Sequence, residues 1–415
     1  MYLAFFRNVT SLFVVTVGSY FIPLATVPYL ARVLGVEQFG ILGVATGLVS
    51  YAILVSDWGF ALSATQTVAR NQQHPRALRR IFWSTVWAKT LLGVVATAAL
   101  LALVAALPGL RGSMWIVTVM VTQVVGSILT TSWFLQGLER MVSLALSSFL
   151  IRLLTIPATF LFVHGPEDLV IAALIPGLAM IAVGVASLFL SARAIPLLPA
   201  RPPSGAMFST IREGTRLFIT TGAISLYTQA NVIAVGLVAG SAQAGLFHGV
   251  DRIKRAVQGL ISPISSAAYP RINALVATDR ARARQFMLWL LIGQGALTLV
   301  ASIFLFVFAE PVIRLVLGTD YLPAVPTLKW IAALPFLIGL SNVFGINMLL
   351  PFGAKRTVSH ATLGAGLVNM ILIIPFSLAW GSAGAAASVV ACEILVTVWM
   401  GVAAWGYLRA PPSSR

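Results

Sequence analysis

Apolar runs long enough to cross a lipid bilayer follow one another along nearly the whole chain, with most of the charges in the gaps between them. A helix needs about 20 residues to span the hydrocarbon, and inside it each backbone N–H and C=O must find a partner within the protein. Composition agrees: 59% of the 415 residues are hydrophobic and 9% charged, against about a quarter charged in soluble domains. Spans are read at 9–30, 41–63, 82–106, 115–136, 145–163, 169–191, 215–238, 248–270, 286–308, 324–350, 358–379 and 384–407. The pattern predicts an all-α integral membrane protein of about 12 transmembrane helices, with no room for a separate soluble domain. The first run, with only Arg7 ahead of it, reads as an uncleaved span rather than a signal peptide.

The formal charge of +16 has a local cause. With a cytoplasmic N-terminus, the inward gaps hold Arg7, four arginines at 70–80, Arg140, four at 193–216, four at 271–284, Lys355, Arg356, Arg409 and Arg415. Those are 18 of the 27 basic residues, while Arg32, Arg111 and Arg314 are the three in outward gaps. Basic residues accumulate on the cytoplasmic side of membrane proteins, so the basicity records topology and gives no reason to expect nucleic acid. Both termini are expected in the cytoplasm.

The longest gap, about 192–214, divides the chain into an N-terminal lobe at 1–200 (spans 1–6) and a C-terminal lobe at 201–415 (spans 7–12). "VLGVEQFGILG" (33–43) and "LVAGSAQAGLFHG" (237–249) align Gly35 with Gly240 and Gly40 with Gly245. Six spans per half make both halves enter the membrane in the same direction. The expected architecture is two six-helix lobes around a central cavity, the parallel-repeat arrangement of many transporters.

The stretch "FHGVDRIKRAVQG" (247–259) puts Asp251, Arg252, Lys254 and Arg255 inside an apolar run. At helical spacing, Asp251, Arg255, Gln258, Ser262, Ser265 and Tyr269 share one side. Lys254 borders that side and Arg252 is turned away. A polar stripe of this length is expected to face a water-filled cavity, although cations within two turns of a surface also snorkel. Arg255 and Asp251, at i and i+4, can pair, and the segment keeps an excess of two cations, which suits an anionic ligand. The preceding span offers Thr221, Ser225, Thr228, Gln229 and Asn231 as hydroxyl-binding partners. Lys89, Arg152 and Lys329 are single charges within reach of a face; the first two are candidates to line the cavity. Asp57 and Glu393 read as acids at membrane depth, either structural or able to carry a coupling ion, with Asp251 a third candidate.

No catalytic constellation stands out: no Gly-rich P-loop, nucleophile elbow, HExxH or carboxylate cluster. Cys392 is the single cysteine, and the four histidines have no ligand spacing. The chain reads as a non-enzyme without cofactor or metal.

"LARVLGVEQFGILGVATGLVSYAILVSDWGFALSATQTVAR" (30–70), "GLFHGVDRIKRAVQGLISPISSAAYPRINAL" (245–275) and "LLPFGAKR" (349–356) resemble elements of the polysaccharide transporter family, the Wzx-type flippases of O-antigen and exopolysaccharide biosynthesis. The resemblance covers most of the chain in order. It implies the multidrug/oligosaccharidyl-lipid/polysaccharide (MOP) superfamily, with alternating access coupled to a proton or sodium gradient. It implies a substrate of undecaprenyl-pyrophosphate-linked oligosaccharide, moved from the cytoplasmic to the periplasmic leaflet of a bacterial inner membrane. It also implies partners among the polysaccharide polymerase and chain-length machinery. The alternatives are a multidrug/cation antiporter of the same superfamily, which the cationic segment disfavours, and a membrane-embedded glycan polymerase or ligase, which the short outer gaps disfavour.

Overall fold

The structure, a computed structural model, describes the backbone of residues 2–196 and 204–409. Side chains of 2–21, 204, 216, 219–228, 260, 262 and 408–409 lie outside the described set. Among the described residues the fold is helical throughout, with no strand. Large aliphatic side chains cover its outside: Leu315 is 76% exposed, Ile371 and Val402 71% each. Exposure on this scale suits hydrocarbon and not water.

Eight helical stretches are long and apolar enough to cross a membrane among the described residues. Two of these, Ile22–Arg70 and Lys355–Tyr407, run 49 and 53 residues and are long enough to cross twice. Both turn where a glycine leaves helical geometry: at Gly35 (φ 73°) in the first, and at Trp380 and Gly381 (φ 57°) in the second. Helices α9 (Ser204–Ala239) and α10 (Ser241–Thr278), of 36 and 38 residues, complete a set of about twelve crossings. The charges of α10 lower its apolar content.

The chain divides into two units, Met1–Ile233 and Ala234–Arg415. The division falls inside α9, after the gap at 192–214. In the first unit, α1 (Tyr2–Asp57) packs on α3 (Pro75–Ala106) and α4 (Met114–Leu129), and α4 lies along α8 (Leu169–Ala194). Glycines allow that closeness: a Cβ on Gly126 would lie 2.6 Å from the Met180 carbonyl carbon. Small residues serve this purpose in membrane helices. Short α2 (Phe60–Arg70) and α5 (Ser132–Gly137) bury Phe60, Ala64, Val68, Trp133 and Phe134 in one cluster with Phe82. Phe82 meets Phe134 edge-on, with centroids 5.1 Å apart, a favoured aromatic geometry.

Several spans that read as continuous in the sequence are broken. The run at 115–136 consists of α4 and α5, interrupted at Thr130–Thr131, and that at 145–163 of α6 (Met141–Leu153) and α7 (Thr155–Phe162). In the second unit, α10 packs on α11 (Arg280–Val307), which is followed by short α12 (Ala309–Val316). The run at 324–350 comprises α13 (Val325–Ile331), α14 (Leu334–Asn342) and a wider π-helical turn, Val343–Leu349. Helix α15 (Lys355–Arg409) closes the unit, burying Ala361, Val396 and Met400 against Ile272, Met287 and Leu349.

Gly35 and Gly240 adopt nearly the same conformation, φ 73° and ψ 172° against φ 88° and ψ 171°. Each joins the first span of its half to the second. L-residues with a side chain rarely visit this region, so both "LG" and "AG" corners require glycine.

Candidate functional site

The charged segment of α10 organises around one carboxylate. Asp251 is 5% exposed. Its Oδ1 accepts from Lys254 Nζ and its Oδ2 from Arg255 Nε at 2.6 Å. Offsets of three and four residues place both cations on the side of the helix that Asp251 occupies. Arg255 is held through Nε, its side chain is 44% exposed against 7% for Asp251, and its terminal Nη groups make no hydrogen bond among the described residues. One carboxylate cannot neutralise Arg252, Lys254 and Arg255 together. Arg252 Nε points to His248 Nε2 at 3.4 Å, away from the Asp251 pair.

Further along α10 the stripe divides. Gln258 is half-buried, and its Nε2 has no partner among the described residues. The side chain of Ser262 lies outside the described residues. Ser265 is buried and turned into the helix packing, donating to Gln294 Oε1 of α11 at 2.8 Å; Gln294 Nε2 in turn donates to Gly339 O at 3.2 Å. Ser265 thus serves an interhelical bond and not a water-filled face. Tyr269 is half-buried near the far end.

Glu393 of α15 is half-buried, and its Oε1 accepts from Ser341 Oγ at 2.7 Å. It forms no ion pair among the described residues. Thr397, one turn on, donates to Leu337 O at 3.1 Å, so a polar seam joins α14 to α15 beside the π-helical turn.

In the first unit, Asp57 is not the buried acid that the span map suggests: its side chain is 46% exposed. The buried partner is Lys89, 3% exposed. Its Nζ lies 2.9 Å from Asp57 Oδ1 and donates to Ser127 O at 2.7 Å and Thr130 O at 3.2 Å. Ser127 Oγ donates to the same Asp57 oxygen at 3.1 Å. An ammonium has three donors, and here each has an acceptor. Lys89 therefore neither snorkels nor lines an open cavity; it binds carbonyls at the end of α4, adding to the Thr130 N–H on Ser127 O and serving Thr130 O just past the last turn. Sequence position gave no sign of this, since Lys89 and Thr130 are 41 residues apart.

Arg152 is exposed at the end of α6, and Gln229 is half-buried. Asn231 is buried at 8% exposure. The side chain of Ser225 lies outside the described residues. Candidates thus fall in two groups: Asp251, Lys254 and Arg255 on α10, with Glu393 and Ser341 near enough for Lys254 to attract the Glu393 carboxylate, and, apart from these, Asp57 with Lys89. Among the described residues no group of His, Cys, Asp or Glu could hold a metal ion.

Comparison with known proteins gives the same direction from all sides. Two curated relatives, both named "Putative O-antigen transporter", come from Escherichia coli (strain K12) and Shigella dysenteriae. The first is 34% identical, covering 95% of each chain, and the second 25%, covering 95% of this chain and 98% of the relative. Among solved structures, lipid II flippase MurJ in an inward closed conformation superposes with a TM-score of 0.74 at 15% identity, covering 96% of this chain and 87% of that one. An inward-facing MATE family multidrug resistance transporter of the MOP superfamily gives 0.71 at 14%, covering 95% and 96%. At these identities the likeness is one of fold. The family described as polysaccharide biosynthesis protein matches residues 5–276. With that match and a relative 34% identical along nearly the whole length, the chain belongs to the polysaccharide biosynthesis protein family.

Proposed function

We propose that this protein flips an oligosaccharide carried on undecaprenyl pyrophosphate from the cytoplasmic to the periplasmic leaflet of a bacterial inner membrane. The observation that carries the reading is Arg255: a guanidinium inside a span, anchored to Asp251 by one nitrogen and open at its fork. A pyrophosphate loses its hydration on leaving water, at a cost that forbids unassisted crossing. Arginine replaces that hydration by presenting two parallel donors to phosphate oxygens, and Lys254 adds point charge. The names of the two relatives support the substrate class, and the fold shared with a lipid II flippase supports the type of movement. The surplus of cation on α10 argues against the multidrug antiporter, whose amphipathic cations it would repel.

In this reading the polar face of α10 is exposed first to one side of the membrane and then to the other. Both termini lie in the cytoplasm, and the glycan polymerase and chain-length machinery receive the product outside. In a strain lacking the gene, the lipid-linked repeat unit should accumulate in the cytoplasmic leaflet and disappear when the wild-type gene is restored. A deletion strain with no such intermediate, and with normal surface polysaccharide, would overturn the reading.

Ion coupling is assigned to Glu393. Asp57 and Asp251 are committed to lysine and arginine partners in direct ion pairs, whereas Glu393 is hydrogen-bonded by the Ser341 hydroxyl, with Lys254 acting on it only through space. A carboxylate without a fixed cation can take up and release a proton or sodium ion. Glu393→Gln should therefore abolish the response of transport to an imposed gradient while leaving substrate binding intact. A full gradient response in this variant would remove Glu393 from the coupling role.

A further inference from the structure

A second cationic site lies in the first unit, built by α2 and the opening turns of α9. Helix α2 buries Phe60, Ala64 and Val68 against Phe82 and Trp133, which turns Gln66, Thr67 and Arg70 to its other side. The opening turns of α9 lie opposite, with Phe208 and Arg212. Between them is a cavity of about 860 Å³, adjoined by one of about 410 Å³ that reaches Arg80 on α3. Pockets that hold small organic ligands measure about 300–1,000 Å³, room enough for a diphosphate and its first attached groups.

The walls are fixed by close backbone contact. A Cβ on Gly214 would lie 2.5 Å from Trp58 O, and one on Gly59 3.0 Å from Gly214 O. Trp58 stacks on Phe218 with centroids 3.9 Å apart and donates through Nε1 to Thr215 at 3.2 Å. Gly59, at φ 75°, is the turn that lets α1 end and α2 begin there; a side chain would strain it.

The chemistry of the lining is one-sided. Arg70, Arg80 and Arg212 form no ion pair among the described residues, and Glu213, the one carboxylate lining the cavity, accepts from Ser209 Oγ at 3.3 Å. Three guanidiniums against one carboxylate leave an excess of two positive charges, beside hydroxyl and amide donors. Phe208, 59% exposed, adds an apolar surface. Unpaired guanidiniums with neutral donors recognise phosphate oxygens.

We propose that this cavity is a loading site for the diphosphate of the lipid-linked glycan, occupied before the substrate reaches Arg255. The inference rests on the flippase reading and adds a place and a ligand class to it. Prenyl diphosphates and soluble diphosphates share the recognised chemistry, so the test separates them.

Full-length protein carrying Cys392→Ser and Gln66→Cys is placed in nanodiscs of zwitterionic lipid, and its modification by a small cationic thiosulfonate is timed. Farnesyl diphosphate should slow modification at least fivefold, whereas farnesol and inorganic pyrophosphate at equal concentration should not. Adding Arg70→Gln with Arg212→Gln should abolish the protection, whereas adding Arg255→Gln should leave it. These arginines are exposed, and an unchanged melting temperature checks that the variants fold. No protection by farnesyl diphosphate, equal protection by farnesol or by inorganic pyrophosphate, or protection lost with Arg255→Gln alone would each overturn the proposal. The deletion strain reads the flippase assignment separately: accumulation without protection removes the loading site alone, and protection without accumulation removes the flippase reading and leaves the diphosphate site.

Discussion

Arg255→Ala is expected to lower transport of the lipid-linked repeat unit by roughly a hundredfold, taking two charge-assisted hydrogen bonds to phosphate at about 1.5 kcal/mol each. The measurement is the rate at which new repeat units become accessible outside the cell, normalised to protein in the membrane. Normalisation matters because the change also removes one of the two cations on Asp251. Lys254 stays in place, so the carboxylate keeps a partner and insertion should be near normal. Arg255→Lys keeps the charge and loses the fork, and a loss of about tenfold is expected, one of the two bonds being retained. Arg252→Ala is the control: Arg252 turns to His248, and its removal should change the rate less than about twofold, as for substitutions away from a site. If Arg252→Ala proves as damaging as Arg255→Ala, or well-inserted Arg255→Ala transports normally, α10 does not present its charge to the substrate in this way.

Lys89→Met should produce the largest loss of stability. Methionine fills similar space but leaves Ser127 O, Thr130 O and the half-exposed Asp57 without the ammonium, and a buried acceptor left without its partner costs about 1–3 kcal/mol. In detergent the variant should melt well below wild type. Adding Asp57→Asn to Lys89→Met should restore part of the loss, because it removes the orphaned charge while Ser127 Oγ keeps an oxygen to bond. The two changes should thus be non-additive, as expected for residues in contact. A double variant that melts below Lys89→Met by the full cost of Asp57→Asn alone would show the two residues to be independent.

The number and type of elements were legible because hydrocarbon imposes its length on each span and arginines collect in every second gap. The interruptions were not. The run at 115–136 has the same apolar composition whether α4 continues or stops at Leu129, and what allows the stop is Lys89 on another helix. For the same reason Asp57 read as a buried acid: its pairing is tertiary, and its half-exposed position follows from the turn at Trp58 and Gly59. The α10 cluster was more accessible, because Asp251, Lys254 and Arg255 lie within one turn and helical spacing alone brings them together. Periodicity misled at Ser265, which shares their side of α10 but is claimed by Gln294 across the interface to α11. Arg70, Arg80 and Arg212 were counted only as markers of topology. The polar side of α2, Ser63, Thr67 and Arg70 at i, i+4 and i+7, was the available signal that they serve a cavity.

The cap that Lys89 makes on α4 also constrains how the protein is born. As separate segments entering the bilayer, neither helix is well suited to lipid. One carries an ammonium, and the other ends with the Thr130 carbonyl outside its helical ladder. Hydrocarbon offers no partner to either. Together each satisfies the other, so α3 and α4 leave the insertion machinery most cheaply as a hairpin, with the Lys89 hydrogen bonds to Ser127 O and Thr130 O already formed. Synthesis order permits this, since the turn at 107–113 is the only stretch between them.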